Sequence, residues 1–245
     1  MEFRIERSFD DYIRAGNETS EELLNRSDEF IQAIRRFHDF FANVLWVEKQ
    51  ELGPFTALLS INAFMIYLSA VRMTLTGHVA ATFPLFRTAL ESACYAYLMS
   101  EDPQLETIWI NRNNDADAHK ACRRAFQSAV RDTAAKLNSA QDGIGDLISE
   151  SYEAAIDFGA HPNRKSVLHH MQTAEREDAF EVNLVGLYSY DSFEMLRALV
   201  ACLDYGLAIA IVLTYCLPAP GKVIEKELAD LNDLKNRLVE PHTKR

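Results

Sequence analysis

The run "DSFEMLRALVACLDYGLAIAIVLTYCL", residues 191–217, constrains the fold more than any other stretch. It is apolar in nearly every direction around a helix, and "PAPG" ends it. A helix of that kind is either buried in a core or crosses a membrane. Asp204 sits inside the run, and an ionisable group in hydrocarbon is costly. A second apolar run, "FTALLSINAFMIYLSAV", is short of a comfortable span. Both are therefore expected to be central helices of a soluble bundle, with no membrane partner.

Helical spacing fills most of the rest. Thr19 and Glu22 in "TSEE" suit a capping box opening a long helix. Along it Leu23, Phe30, Ile34, Phe37, Phe41 and Val44 recur at helical steps, which predicts a packing seam. Pro54 suits a first helical turn, and Gly77 suits a C-terminal cap. "FPLFRTALESACYAYLM" gives a further helix, with Pro84 either beginning or kinking it. "EDPQLETIWINR" gives a short one, "DAHKACRRAFQSAVRDTAAKL" an amphipathic one, and "DLISESYEAAIDF" one that Gly159 stops. Past "HPN" the residues turn β-branched and aromatic, and a small β-hairpin is expected near residues 166–189. The tail "KVIEKELADLNDLKNRL" places Ile224, Leu228, Leu231 and Leu238 on one face, for packing on the bundle.

The expected fold is all-α: one domain over residues 1–245, with a bundle core at 19–217 and an amphipathic helix at 221–238 packed on it. Charge narrows the partners. With 25 basic and 36 acidic residues the formal net charge is −11, which disfavours a uniformly basic nucleic-acid surface. "MEFRIERSFDDYIR" has no signal-peptide core, and Cys94, Cys122, Cys202 and Cys216 form no C-x-x-C pair. Reduced thiols in the cytoplasm are expected.

Three groups of polar residues stand out. "AAIDFGAHPNRKSVLHH", residues 154–170, gathers Asp157, His161, Asn163, Arg164, His169 and His170. One reading is a helix end, with His161 folded back on it and Asn163 serving the turn. The other is metal-free cleavage of RNA, with Arg164 holding a phosphate while His169 or His161 moves protons. That reading is disfavoured because the segment looks extended. Second, Arg87 and Glu91 share one side of a nearly all-apolar helix, which predicts a buried ion pair. It either fixes register or floors a pocket with Trp109 and Arg112, and the ligand-binding candidates are these four with Asp157, His161 and Asn163. Third, Lys120, Arg123, Arg124, Gln127 and Arg131 make a basic stripe that pairs with acids or faces water. No metal-ligand spacing and no cofactor motif occurs, so neither is expected.

"LFRTALESACYAYLMSEDPQLETIWINR" together with "DFGAHPN" resembles an uncharacterised group of bacterial helical proteins, distantly similar to the HEPN superfamily. The similarity covers about the middle half of the chain. It implies a small helical bundle of a class that includes RNA-cleaving toxins and non-catalytic relatives. The HEPN nucleases carry R-x4-6-H on a late helix; here the match is Arg164 to His169, beside Pro162. The expected function is a non-catalytic protein binding a small ligand or a protein partner, in bacterial stress or defence regulation. The alternative is a metal-independent ribonuclease or nucleotide-acting enzyme. A homo-oligomer is compatible with both.

Overall fold

Pro54 opens α3 (Pro54–Leu75) at a position where its missing N–H costs nothing, and Gly77 closes it. Gly77 has φ +81° and donates to Thr74 O, while His78 N–H reaches back to Met73 O. Those two bonds are a Schellman cap, and they turn the chain directly into α4 (Val79–Glu101). Pro84 lies inside α4 and leaves the Ala80 carbonyl outside the helix ladder.

The computed structural model describes residues 8–46, 51–160, 164–176 and 179–243, and it is an all-α multi-helix bundle with one small hairpin. Before α3 come α1 (Phe9–Asn25) and α2 (Glu29–Asn43). After α4 the chain forms α5 (Gln104–Ile110), a 3₁₀ turn, α6 (Ala116–Phe126), α7 (Ala129–Ala140) and α8 (Ile144–Ala155). Next come a π turn (Ile156–Ala160) and α9 (Arg164–Leu168). Strands β1 (Met171–Arg176) and β2 (Ala179–Leu184) pair antiparallel, with Met171 opposite Leu184 and Thr173 opposite Val182. The chain ends in α10 (Phe193–Tyr215) and α11 (Lys222–Thr243).

Helix α10 is the axis of the bundle and touches α2, α3, α4, α8 and α11. Tyr205 stacks on Phe86 at 4.5 Å, and Tyr67 Oη donates to the Cys202 carbonyl. Asp204 survives in this apolar helix because Lys235 of α11 meets it at 3.0 Å. All four cysteines are free and buried.

Several expectations need correction. Thr19 lies inside α1, donating to Ala15 O; Ser8 caps that helix and Asp28 caps α2. The apolar seam from Leu23 to Phe41 is buried but spans two helices, because its spacing carries through the break at 26–28. The amphipathic segment divides at Gln127–Ser128, which separates Arg131 from the rest of the basic stripe. Of the two apolar runs, α10 is the more deeply buried. Helices α3 and α10 are both long and apolar enough to cross a membrane by length and composition, yet 78% of the apolar window is buried in α10 and 33% in α3. The outer face of α3 shows Leu58, Ile61 and Met65 to the outside.

Candidate functional site

Helix α4 sets the frame. Phe83, Arg87 and Glu91 succeed one another at four-residue steps, on the side facing α8 and the π turn. Arg87 Nε donates to Glu91 Oε1 (3.0 Å), and Arg87 Nη2 donates to Tyr152 Oη (3.0 Å). Tyr152 Oη donates in turn to Glu91 Oε1 (3.1 Å), so the three groups form a closed ring. Burial pulls the Arg87 pKa down, but the hydrogen bond and charge of Glu91 outweigh it and the net shift is upward. Burial and the Glu91 charge also hold the Tyr152 phenol protonated.

The pair is not buried as expected: the Arg87 and Glu91 side chains keep 23% and 35% of their exposure. Most of the helix around them is buried, but Thr88 is exposed, and the side of α4 that carries Arg87 and Glu91 is only partly covered.

One turn back, the π turn lies against α4. A Cβ on Gly159 would sit 3.0 Å from Ala80 O and 3.0 Å from Pro84 Cδ. A side chain there would require α4 to give by a few tenths of an ångström. The contact brings Phe158 against Phe83, with ring centroids 5.5 Å apart.

Around Phe158 gathers a second cluster. Arg197 of α10 stands over the Phe158 ring at 4.3 Å and within 5.8 Å of Phe193. His169 meets Phe158 edge-on at 5.5 Å. His170 Nδ1 and Tyr188 Oη share a hydrogen bond of 2.7 Å. Burial, then the charges of His169 and Arg197, push the His170 pKa down against the pull of Glu194. Burial lowers the Arg197 pKa as well, and Glu194 and Tyr188 offset only part of that. Among the described residues no carboxylate lies within ion-pair distance of Arg197.

Arg197 also edges a cavity of about 400 Å³ between α8, α10 and α11. Its walls include Phe83, Phe158, Leu196, Val200 and Tyr205, with the Asp204–Lys235 pair at one end. Mostly apolar walls with a few placed polar groups are what small-molecule sites share.

The residues singled out from sequence divide accordingly. Arg87 and Glu91 join Tyr152, and the Arg112 charge reaches Tyr95, one turn from Glu91. Trp109 instead packs on Phe55, at 5.8 Å. Asp157 is held by Lys165 in an ion pair that ties α9 to the π turn. His161 and Asn163 lie outside the described residues. Arg164 is exposed on α9. That segment is helical rather than extended, which corrects the expectation. Positions five apart on a helix are turned about 140° from each other, so the spacing still gives Arg164 and His169 no common face. The arginine beside the histidines is Arg197. Sequence reasoning missed it, as it missed Tyr152 and Tyr188; the one available signal was a lone cation in the first turns of an apolar helix.

Lys120 pairs with Asp117 and Arg131 with Asp132, while Arg123, Arg124 and Gln127 face outward. No group of three or more metal-ligating side chains occurs among the described residues. Comparison with protein-family models, curated proteins and solved structures gives no match, so the resemblance to HEPN proteins rests on the residues that carry it.

Proposed function

We propose that this chain is a non-catalytic ligand-binding protein that takes a small organic anion with an apolar body into the α8–α10–α11 cavity. The observation that carries the reading is Arg197, half-buried beside two phenyl rings and in no ion pair among the described residues. Burial costs Arg197 more than the nearby Glu194 charge returns, and an incoming anion relieves the remainder. The cavity volume of about 400 Å³ falls in the range of small-molecule sites. Bacterial stress or defence regulation is the setting the family resemblance implies. The test is calorimetric titration with octanoate and naphthalene-2-sulfonate. Saturable one-to-one binding, weakened at least tenfold in Arg197→Gln at unchanged circular dichroism, is expected. Absence of binding, or binding indifferent to Arg197, overturns the reading.

A second reading, metal-free action on RNA, has one observation in its favour. His169 and His170 lie near an arginine, though it is Arg197 rather than Arg164. Against it, each imidazole has its Nδ1 engaged locally, His169 with the Lys165 carbonyl and His170 with Tyr188.

A further inference from the structure

A second cavity, of about 920 Å³, neighbours the first along α10, and Leu147 and Lys235 line both. One side of α10 lines both: Leu196, Arg197, Val200 and Asp204 in the first, then Leu207 and Ile211 in the second. From Arg197 to Ile211 that side rises about 21 Å. The apolar wall of the second chamber is Ile144, Leu147, Leu207, Ile211, Leu217 and Leu228, and Asp142 and Glu225 also line it.

The cleft is asymmetric in charge. Lys235 is closed against Asp204 at 3.0 Å and is 13% exposed, so it has no charge to offer. Arg197, at the other end, makes no ion pair among the described residues, and the Glu194 charge offsets only part of its burial. An anion is therefore recognised at one end only. The remainder of such a ligand must be apolar and narrow enough to pass the Asp204–Lys235 pair.

Resting on the proposed binding function, we infer that the occupant is a free single-chain amphiphile: one anionic head at Arg197 and an unbranched alkyl tail running past Lys235 into the second chamber. At roughly 1.3 Å advance per carbon, from bonds of about 1.5 Å, the 21 Å path takes about sixteen carbons.

The experiment titrates octanoate, dodecanoate and hexadecanoate below their aggregation limits, with dodecyltrimethylammonium as the charge control. Each buried methylene should tighten binding roughly fourfold. A gain of more than tenfold from octanoate to dodecanoate is expected, with the cation binding at least tenfold more weakly than dodecanoate. Leu228→Trp, and independently Ala229→Trp, fill the second chamber from α11. Either variant that folds should abolish the gain with length and leave octanoate unchanged. Vesicles of phosphatidylglycerol, which present the same chemistry on two chains, should not displace dodecanoate. Octanoate bound through Arg197 with no gain in affinity on lengthening overturns this inference alone. Equal binding of the cation, a length gain untouched in both tryptophan variants, or displacement by the vesicles also overturns it. If octanoate shows no Arg197-dependent binding, the underlying function fails instead.

Discussion

The backbone N–H of Tyr188 donates to the carbonyl of Gly77 at 3.0 Å, and the Tyr188 carbonyl lies 2.5 Å from where a Cβ on Gly77 would stand. The α3–α4 turn thus holds the loop that positions Tyr188 beside His170. Gly77→Ala should cost about 1–2 kcal/mol from the left-handed backbone alone and more from the clash. Gly143→Ala is the control, because Gly143 has φ +84° with nothing within 4 Å of its Cβ position. Urea melts should show the larger loss at Gly77. Equal losses would mean that the Tyr188 contact contributes nothing.

The Arg87–Glu91–Tyr152 ring lies between the exposed and buried extremes. Exposed pairs contribute roughly 0.2–1 kcal/mol, and breaking a buried one costs about 3–5. Arg87→Ala and Glu91→Ala should each lose about 1–2 kcal/mol, and Tyr152→Phe about 1. A double-mutant cycle on Arg87 and Tyr152 reads the coupling directly. A coupling energy indistinguishable from zero would show that the ring does not act as a unit.

Acid should loosen the fold partly through His170. Its folded pKa lies below the usual value, so between the two the unfolded chain binds more protons and stability rises with pH. The contribution is intact above about pH 6.5 and is lost as pH falls toward the folded pKa. His78, lowered by burial, acts in the same direction. The groups acting on His170 are His169, Glu194 and Arg197. His170→Gln should flatten the fall in urea midpoint between pH 7.5 and 5; an unchanged slope would remove His170 from the account.

RNA cleavage that depends on both Arg164 and His169 is not expected, because the helical turn at α9 directs the two apart. Mixed RNA substrates incubated with wild type, Arg164→Ala and His169→Ala decide this. Activity lost in both variants, with folding intact, would favour the enzymatic reading.

Much of the bundle was legible because local rules coincide with the fold. Pro54 and Gly77 mark the ends of α3, and the apolar texture of residues 191–217 makes α10 the core. The breaks at 26–28 and 127–128 were hidden because apolar spacing runs through them. Leu23 and Phe30 are both buried, as are Phe126 and Val130, although a cap residue divides each pair. The candidate site was legible only where partners lie four residues apart, as Arg87 and Glu91 do. Tyr152 stands 61 residues from Glu91, and Arg197 meets Phe158 from another helix. No spacing rule reaches such contacts, because tertiary packing creates them.

Placing the central helix after the elements that pack on it has a consequence during synthesis. The inward faces of α2, α3, α4 and α8 are built to close on α10, yet α10 is not complete until residue 215. At about 5–20 residues per second, roughly 10–35 s separate the emergence of α2 from that of α10. Throughout that interval rings such as Phe37, Phe41 and Phe86, fully covered in the finished protein, have no α10 to cover them. The nascent chain is then a natural client for chaperones that hold exposed apolar segments, and ribosomes stalled before α10 would carry an aggregation-prone fragment.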